Sequence, residues 1–138
     1  MTRKRTLDFA GWFLSLVLIA GLGSANGQQA APTETKGVTQ KLLAAVDLGP
    51  EIDGMGGRQL RMRMVTVEPG GVFGIHNHKD NPGMVYILQG KLTEHRGDVA
   101  KEYGPGEFWS ESKETTHWLE NKGTIPVVFI PVDIFKQP

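Results

Sequence analysis

Three of the four histidines in this chain, His76, His78 and His117, are arranged as metal ligands are. Residues two apart in an extended strand project to the same face, so His76 and His78 can address one ion. His117, beside Trp118 on a later segment, supplies a third nitrogen from a neighbouring strand. Neutral imidazole is the commonest protein metal ligand near neutral pH. Three such nitrogens leave positions open for water or substrate. Fe, Mn, Ni, Cu and Zn all accept three nitrogens with or without a carboxylate. The donor set therefore implies a divalent metal ion without choosing among them. His95 sits differently, between Glu94 and Arg96-Gly97-Asp98 in a charged hairpin tip, and reads as a surface histidine.

The elements that must position these ligands are short strands. From Gly49 onward, apolar runs are broken by Gly and Pro, and no 3.6-residue period competes with the alternation. Leu60 to Glu68 places Leu60, Met62 and Met64 on one face and Arg61, Arg63, Val65 and Val67 on the other. Pro69-Gly70-Gly71 is expected to turn the chain into Val72–His78. Met84–Leu88, Lys91–His95, Val99–Tyr103, Glu107–Glu111, Thr116–Leu119 and Val127–Phe135 follow. About eight short strands at this spacing predict an all-β sandwich or barrel. Val38–Val46 is compatible with a helical turn or an extended arm, and the residues do not choose between them.

At 138 residues the chain holds one domain at most. Residues 1–27 read as a secretory signal peptide: Arg3, Lys4 and Arg5, then the apolar run Phe9–Gly23, then small residues at Ser24, Ala25 and Gly27. The run is short of the roughly 20 apolar residues of a spanning helix. A periplasmic or secreted protein, free of the membrane after cleavage, is expected. The absence of Cys excludes disulfides and a lipid anchor at cysteine. Residues 28–48 read as a linker or N-terminal arm and 49–138 as the β-barrel domain. Without the leader the chain carries two more acidic than basic residues, which gives no footprint for nucleic acid. A small core with open strand edges favours a homodimer.

The histidine region resembles the cupins. Gly70, His76-Asn77-His78 and Gly90, with the strand Val85-Tyr86-Ile87-Leu88 between, resemble the first cupin motif. Gly106, His117 and Asn121 resemble the second, and the gap between the two is typical. The likeness covers about Gln59 to Asp133. It implies a double-stranded β-helix, or jelly-roll barrel, of the small quercetin-dioxygenase-like kind. It says little about the reaction, because this barrel hosts many. In the second motif Ser112 and Glu114 stand where the family places proline and glycine.

The family also implies a fourth ligand, a glutamate seven positions before the closing glycine, where this chain has Gly83. Asp80 falls too early to replace it. Glu111 is the candidate substitute, as a metal ligand, as a hydrogen-bonding partner one shell out, or as the catalytic acid/base. By strand parity it shares a face with Trp109, opposite Phe108 and Ser110. An isolated carboxylate inside a barrel is costly unless paired or bound to metal, and a solvated Glu111 is the bland alternative. Trp109 and Trp118 are candidates to wall a substrate pocket, or are simply core. Val85 and Ile87 share the Gly83 face, so Tyr86 is expected to face away. Asn121 is expected to fix a turn. Arg61 and Arg63 either bind an anionic substrate or form the solvated side of a strand.

The expected function is that of an exported metal-binding protein, a dioxygenase-type oxidoreductase acting on a small chelating molecule. The alternative is a non-catalytic periplasmic module that binds or senses a small molecule, with a structural metal or none.

Overall fold

A computed structural model describes residues 30–137. The signal-peptide segment lies outside the described residues. Eight strands form the fold: β1 (Lys36–Asp47), β2 (Arg58–Asn77), β3 (Gly83–Gln89), β4 (Leu92–Arg96), β5 (Val99–Tyr103), β6 (Phe108–Glu111), β7 (Thr116–Glu120) and β8 (Val127–Lys136). All pairings are antiparallel, in the order β5-β4-β7-β2-β8-β3-β6, with β1 added along β2. The sheet curls until its ends meet: Arg96 on β4 donates from Nη2 to the Ser110 carbonyl on β6 at 3.0 Å. Tyr103 and Trp109 pack across the same gap. The result is an all-β barrel, one of the two forms that the strand spacing predicts, and of the jelly-roll kind that the resemblance implies.

Alternation builds the core. Val65 and Val67 on β2, Val85 and Ile87 on β3, and Val127 and Phe129 on β8 point inward with Leu92, Tyr103, Trp109 and Leu119. Tyr86 faces out, as parity predicts, and is half exposed. Of the two alternatives open for Val38–Val46, the structure takes the extended one, within β1. One segment differs from the sequence reading. The expected turn at Pro69-Gly70-Gly71 is a bend inside one strand, β2, where it exchanges partners. Up to Val67 it pairs with β8, and from Val72 with β7. Asn121 fixes that bend from inside the protein. Its Nδ2 donates to the carbonyls of Val67 and Ile125 at 2.9 and 2.8 Å, and its Oδ1 accepts from Gly123 N–H.

The arm ahead of β1 is tied down. Ile75 N–H donates to Pro32 O at 2.7 Å, and Gly74 N–H to Thr35 Oγ1 at 3.0 Å. A Cβ on Gly74 would lie 2.7 Å from Thr33 O, so glycine is what admits the crossing chain. The arm thus braces β2 immediately before His76. Gly90 and Gly106, the closing and opening glycines of the two motifs, both have positive φ (75° and 87°), a conformation that favours glycine.

Candidate metal centre

A bulge in β2 between Phe73 and His76 sets the register of the site. Beyond it His76 lies directly opposite His117 on β7, and cross-strand partners share a face. His78, two residues on from His76, completes the set. Its N–H donates to Thr115 O at 3.0 Å, in the turn that leads into β7. In that turn Ser112 N–H reaches Thr115 Oγ1 and Thr115 N–H reaches Ser112 O, so hydrogen bonds hold it without the family's proline.

The three rings converge through Nε2, at 3.0 Å for His78–His117 and 3.1 Å for His76–His117. Their remaining nitrogens all face acceptors. Nδ1 of His76 meets Gly74 O at 2.8 Å, that of His78 meets Asn81 O at 3.0 Å, and that of His117 meets Glu94 Oε1 at 2.6 Å. Those contacts put the proton on Nδ1 in each ring and leave each Nε2 with a bare lone pair. Three lone pairs aimed at one point repel unless a cation lies between them. Ligands held at right angles about 2.1 Å from an ion lie about 3.0 Å apart. The donor set therefore fits a divalent metal ion, and the three ligand atoms all lie within 4.8 Å of one another.

Glu111 stands beside this set. It is buried on β6, directly across from Gly83, with Trp109 on its face and Phe108 and Ser110 turned outward. Its Oε1 accepts from Trp109 Nε1 at 3.0 Å and lies 3.6 Å from His117 Nε2, while Oε2 lies 3.3 Å from His78 Nδ1. The solvated placement does not apply, since Glu111 is 6% exposed. The vacancy at Gly83 is filled from the other side. A Cβ there would lie 2.7 Å from Val132 O and 3.0 Å from Cβ of Asp133, its partner on β8. Asp80 is exposed and far from this role; its carbonyl meets Arg58 at the surface.

A carboxylate missed by the sequence reading lies behind His117. Glu94, 3% exposed on β4, accepts from His117 Nδ1 and from Arg96 Nε at 2.8 Å. Burial raises its pKa, but the hydrogen bonds from His117 and Arg96 and the Arg96 charge outweigh that, so the group is held below the usual carboxylate range. Such a partner fixes a ligand's tautomer and raises its basicity. The available signal was parity: Leu92, Glu94 and Arg96 alternate with Thr93 and His95, and Leu92 is core.

The tryptophans separate. Trp109 belongs to the core and bonds Glu111, and it also lines an open groove with Phe108 and Met84. Trp118 takes no part in the cavity at the histidines. It follows the inward His117, so it turns to the other face, where it stacks on His95 at 3.7 Å. His95 is correspondingly largely covered and bonds Glu120 at 2.6 Å, away from the three-histidine set.

That cavity is about 30 Å³, bounded by Arg63, His76, His78 and Glu111 and by apolar residues including Phe73 and Phe129. Arg61 and Arg63 are not the solvated side of β2. Both turn to the face of Val65 and Val67 and share the buried Asp133, while Leu60, Met62 and Met64 face out. Desolvation lowers the pKa of His76 to about 4, with smaller opposing and reinforcing effects from Gly74 and the neighbouring histidines. It is neutral, as a ligand must be, throughout the physiological range.

Two outcomes are expected. Glu94→Gln lowers metal affinity by about 10- to 100-fold, measured by competition with a chromophoric chelator; unchanged affinity would show that Glu94 does not support His117. For pH, the unfolded chain binds a proton at His76 near the ordinary value of about 6.5, and the folded chain only near 4. Stability of the metal-free protein therefore falls as pH drops from 6.5 to 4. In His76→Gln the fall in urea midpoint over that window is expected to be smaller.

The comparisons agree on architecture. The family model for the cupin domain (Cupin_2) matches residues 63–135. No curated protein sequence matches the chain. The polyketide cyclase RemF from Streptomyces resistomycificus is similar with TM-score 0.60 and 22% identity, over 78% of this chain and 71% of that one. A predicted oxalate decarboxylase from Thermotoga maritima gives 0.58 and 19%, over 77% and 94%. The Cupin_2 domain of an XRE family transcriptional regulator from Enterobacter cloacae gives 0.55 and 13%, over 74% and 100%. At these identities the likeness is one of fold, shared by enzymes and a regulator alike. The model match spans both histidine motifs and every strand of the barrel from the middle of β2 onward, and the chain belongs to the cupin family.

Proposed function

We propose that this chain is an exported, metal-dependent cupin that works as a homodimer on a small chelating molecule, with oxygenase-type chemistry. The observation that carries the metal reading is the convergence of three unprotonated Nε2 atoms, each fixed by an acceptor at its Nδ1. His76, His78 and His117 hold the ion. When bound, it supplies Lewis acidity, and redox chemistry with oxygen if it is iron. Glu111, held by Trp109 beside the rings, takes or returns a proton at the atoms bound there. Phe73 and Phe129 supply apolar walls beside them. Export is supported by the basic start and apolar run before Gly23.

A second reading is supported by the size of the cavity, about 30 Å³, which admits one small group and no whole aromatic substrate. On that reading the barrel is a binding or sensing module with a structural metal.

The homodimer rests on the outer sheet face. Leu60, Met62 and Met64 on β2, Met84 and Tyr86 on β3, and Phe108 on β6 expose between 36% and 72% of their surface. Register places them side by side across β2, β8, β3 and β6, with Val132 and Ile130 between. Large side chains exposed to this degree make a patch on the order of 600–800 Å². That exceeds what monomers usually leave bare and approaches the roughly 800 Å² that each partner buries in a stable complex. A second copy of the chain, presenting the same self-complementary face, is the occupant.

Elemental analysis of the purified chain should find a divalent metal that is lost in His76→Ala/His78→Ala. Equal metal in both would sink the assignment. Oxygen uptake with diols, flavonoids, thiols or β-diketones then separates the two readings, since a metal-loaded protein that turns over none of them favours the binding module. For the dimer, sedimentation at micromolar concentration should give twice the chain mass, and Met84→Lys/Phe108→Glu should give the monomer with its metal retained. A monomeric wild-type chain would refute it.

A further inference from the structure

Arg63 carries more than a structural bond. It lines the cavity at the histidines, and its pairing is incomplete. Nη2 donates to Asp133 Oδ2 at 2.8 Å and Nη1 to Gln40 Oε1 at 2.6 Å, which leaves Nε buried with no hydrogen-bond partner. It is the one buried side-chain nitrogen or oxygen among the described residues in that condition. An orphaned buried donor is unfavourable and calls for a missing acceptor.

The charge balance has the same sign. Asp133 offers one negative charge to two guanidinium groups. Arg61 takes it at both oxygens, through Nε at 3.1 Å and Nη2 at 2.8 Å, and Arg63 shares Oδ2. Glu111 answers one further charge, and Glu94, behind His117, is matched by Arg96. A divalent ion on three neutral imidazoles would add two positive charges with nothing to balance them. Arg61 is otherwise engaged: its guanidinium lies 3.6 Å over the Phe135 ring, and it does not border the cavity. Arg63 is the cation that faces the metal ligands.

We infer that Arg63 is the anion-binding residue of this cavity, and that its ligand is a small carboxylate whose head group accepts from Arg63 Nε beside the three-histidine centre. The inference rests on the metal reading above and names the substrate class for that site. The volume agrees. A cavity of about 30 Å³ exceeds the roughly 10–15 Å³ that one water needs, so a small polar head group enters and a ring does not. The rest of the molecule must extend toward the barrel mouth.

The test uses the full chain loaded with Co(II), titrated at neutral pH with glycolate and with its neutral isostere glycolamide. Binding is followed by calorimetry and by the visible Co(II) spectrum. Wild type is expected to bind glycolate at least tenfold more tightly than glycolamide. Arg63→Met is expected to lose about 10- to 100-fold in glycolate affinity, with Co(II) affinity held within a few-fold. Arg61→Met removes a comparable bond to Asp133 away from the cavity and is expected to keep glycolate affinity within a few-fold. Arg63→Lys keeps a cation but no Nε. It stands in if Arg63→Met does not fold, and is expected to lose about tenfold.

Equal glycolate affinity in wild type and Arg63→Met (or Arg63→Lys) would mean the metal alone holds the anion, and the inference falls. It falls equally if glycolamide matches glycolate, or if Arg61→Met loses as much as Arg63→Met. Failure of wild type to take up Co(II) would overturn the metal reading and this inference together. Uptake of Co(II) without anion preference would overturn this inference alone.

Discussion

Three hydrogen bonds at the back of three imidazoles govern this molecule. Each Nδ1 proton is claimed by an acceptor of a different kind: the carbonyl of a bulged strand, the carbonyl of a turn, and a buried carboxylate. Because each acceptor belongs to the fold, the fold decides which nitrogen is free. The brace from the N-terminal arm at Gly74, the turn from Ser112 to Thr115 and the placing of β4 beside β7 all converge on that result. Much of the irregularity in an otherwise regular barrel is spent on ring orientation.

The same network explains how a barrel interior tolerates so much polarity. His117, Glu94, Glu111 and Asp133 are all buried, and each is answered: His117 by Glu94, Glu94 also by Arg96, Glu111 by Trp109, and Asp133 by two arginines. Buried charges are costly unless paired and hydrogen-bonded. The apolar half of the interior, around Val67, Ile87 and Val127, supplies the cohesion, and the polar half is held at one end of it.

The architecture and the three histidines were legible in the sequence because they depend on local spacing. Strand parity correctly put Trp109 and Glu111 on one face, opposite Phe108 and Ser110, and Tyr86 outward, and the turn-fixing role of Asn121 followed from its place after His117. What escaped depended on which strands become neighbours. Glu94 sits in a string of charges that looks like a surface hairpin, and only the pairing of β4 with β7 brings it to His117. The continuity of β2 through Pro69-Gly70-Gly71 was hidden because the chain bends there without ending a strand. The arginines of β2 were left undecided because hydrophobicity is a poor guide to the inner face where the outer one is apolar too: Met62 and Met64 face out while Arg61 and Arg63 face in. Trp118 follows from His117 by parity alone, since adjacent strand residues cannot both face one cavity.

Gly83 and Asp133 are locked together by the close approach of two strands. The place where a side chain on β3 would begin is taken by β8, through the Val132 carbonyl and the Asp133 Cβ, and the Asp133 carboxylate is itself clasped by two arginines. A side chain at position 83 therefore cannot be introduced by changing that residue alone; β8 would have to draw back at Val132 and at Asp133, which carries the counter-charge of two arginines. The backbone of β8 thus limits, as firmly as any side chain, what β3 can contribute to the centre.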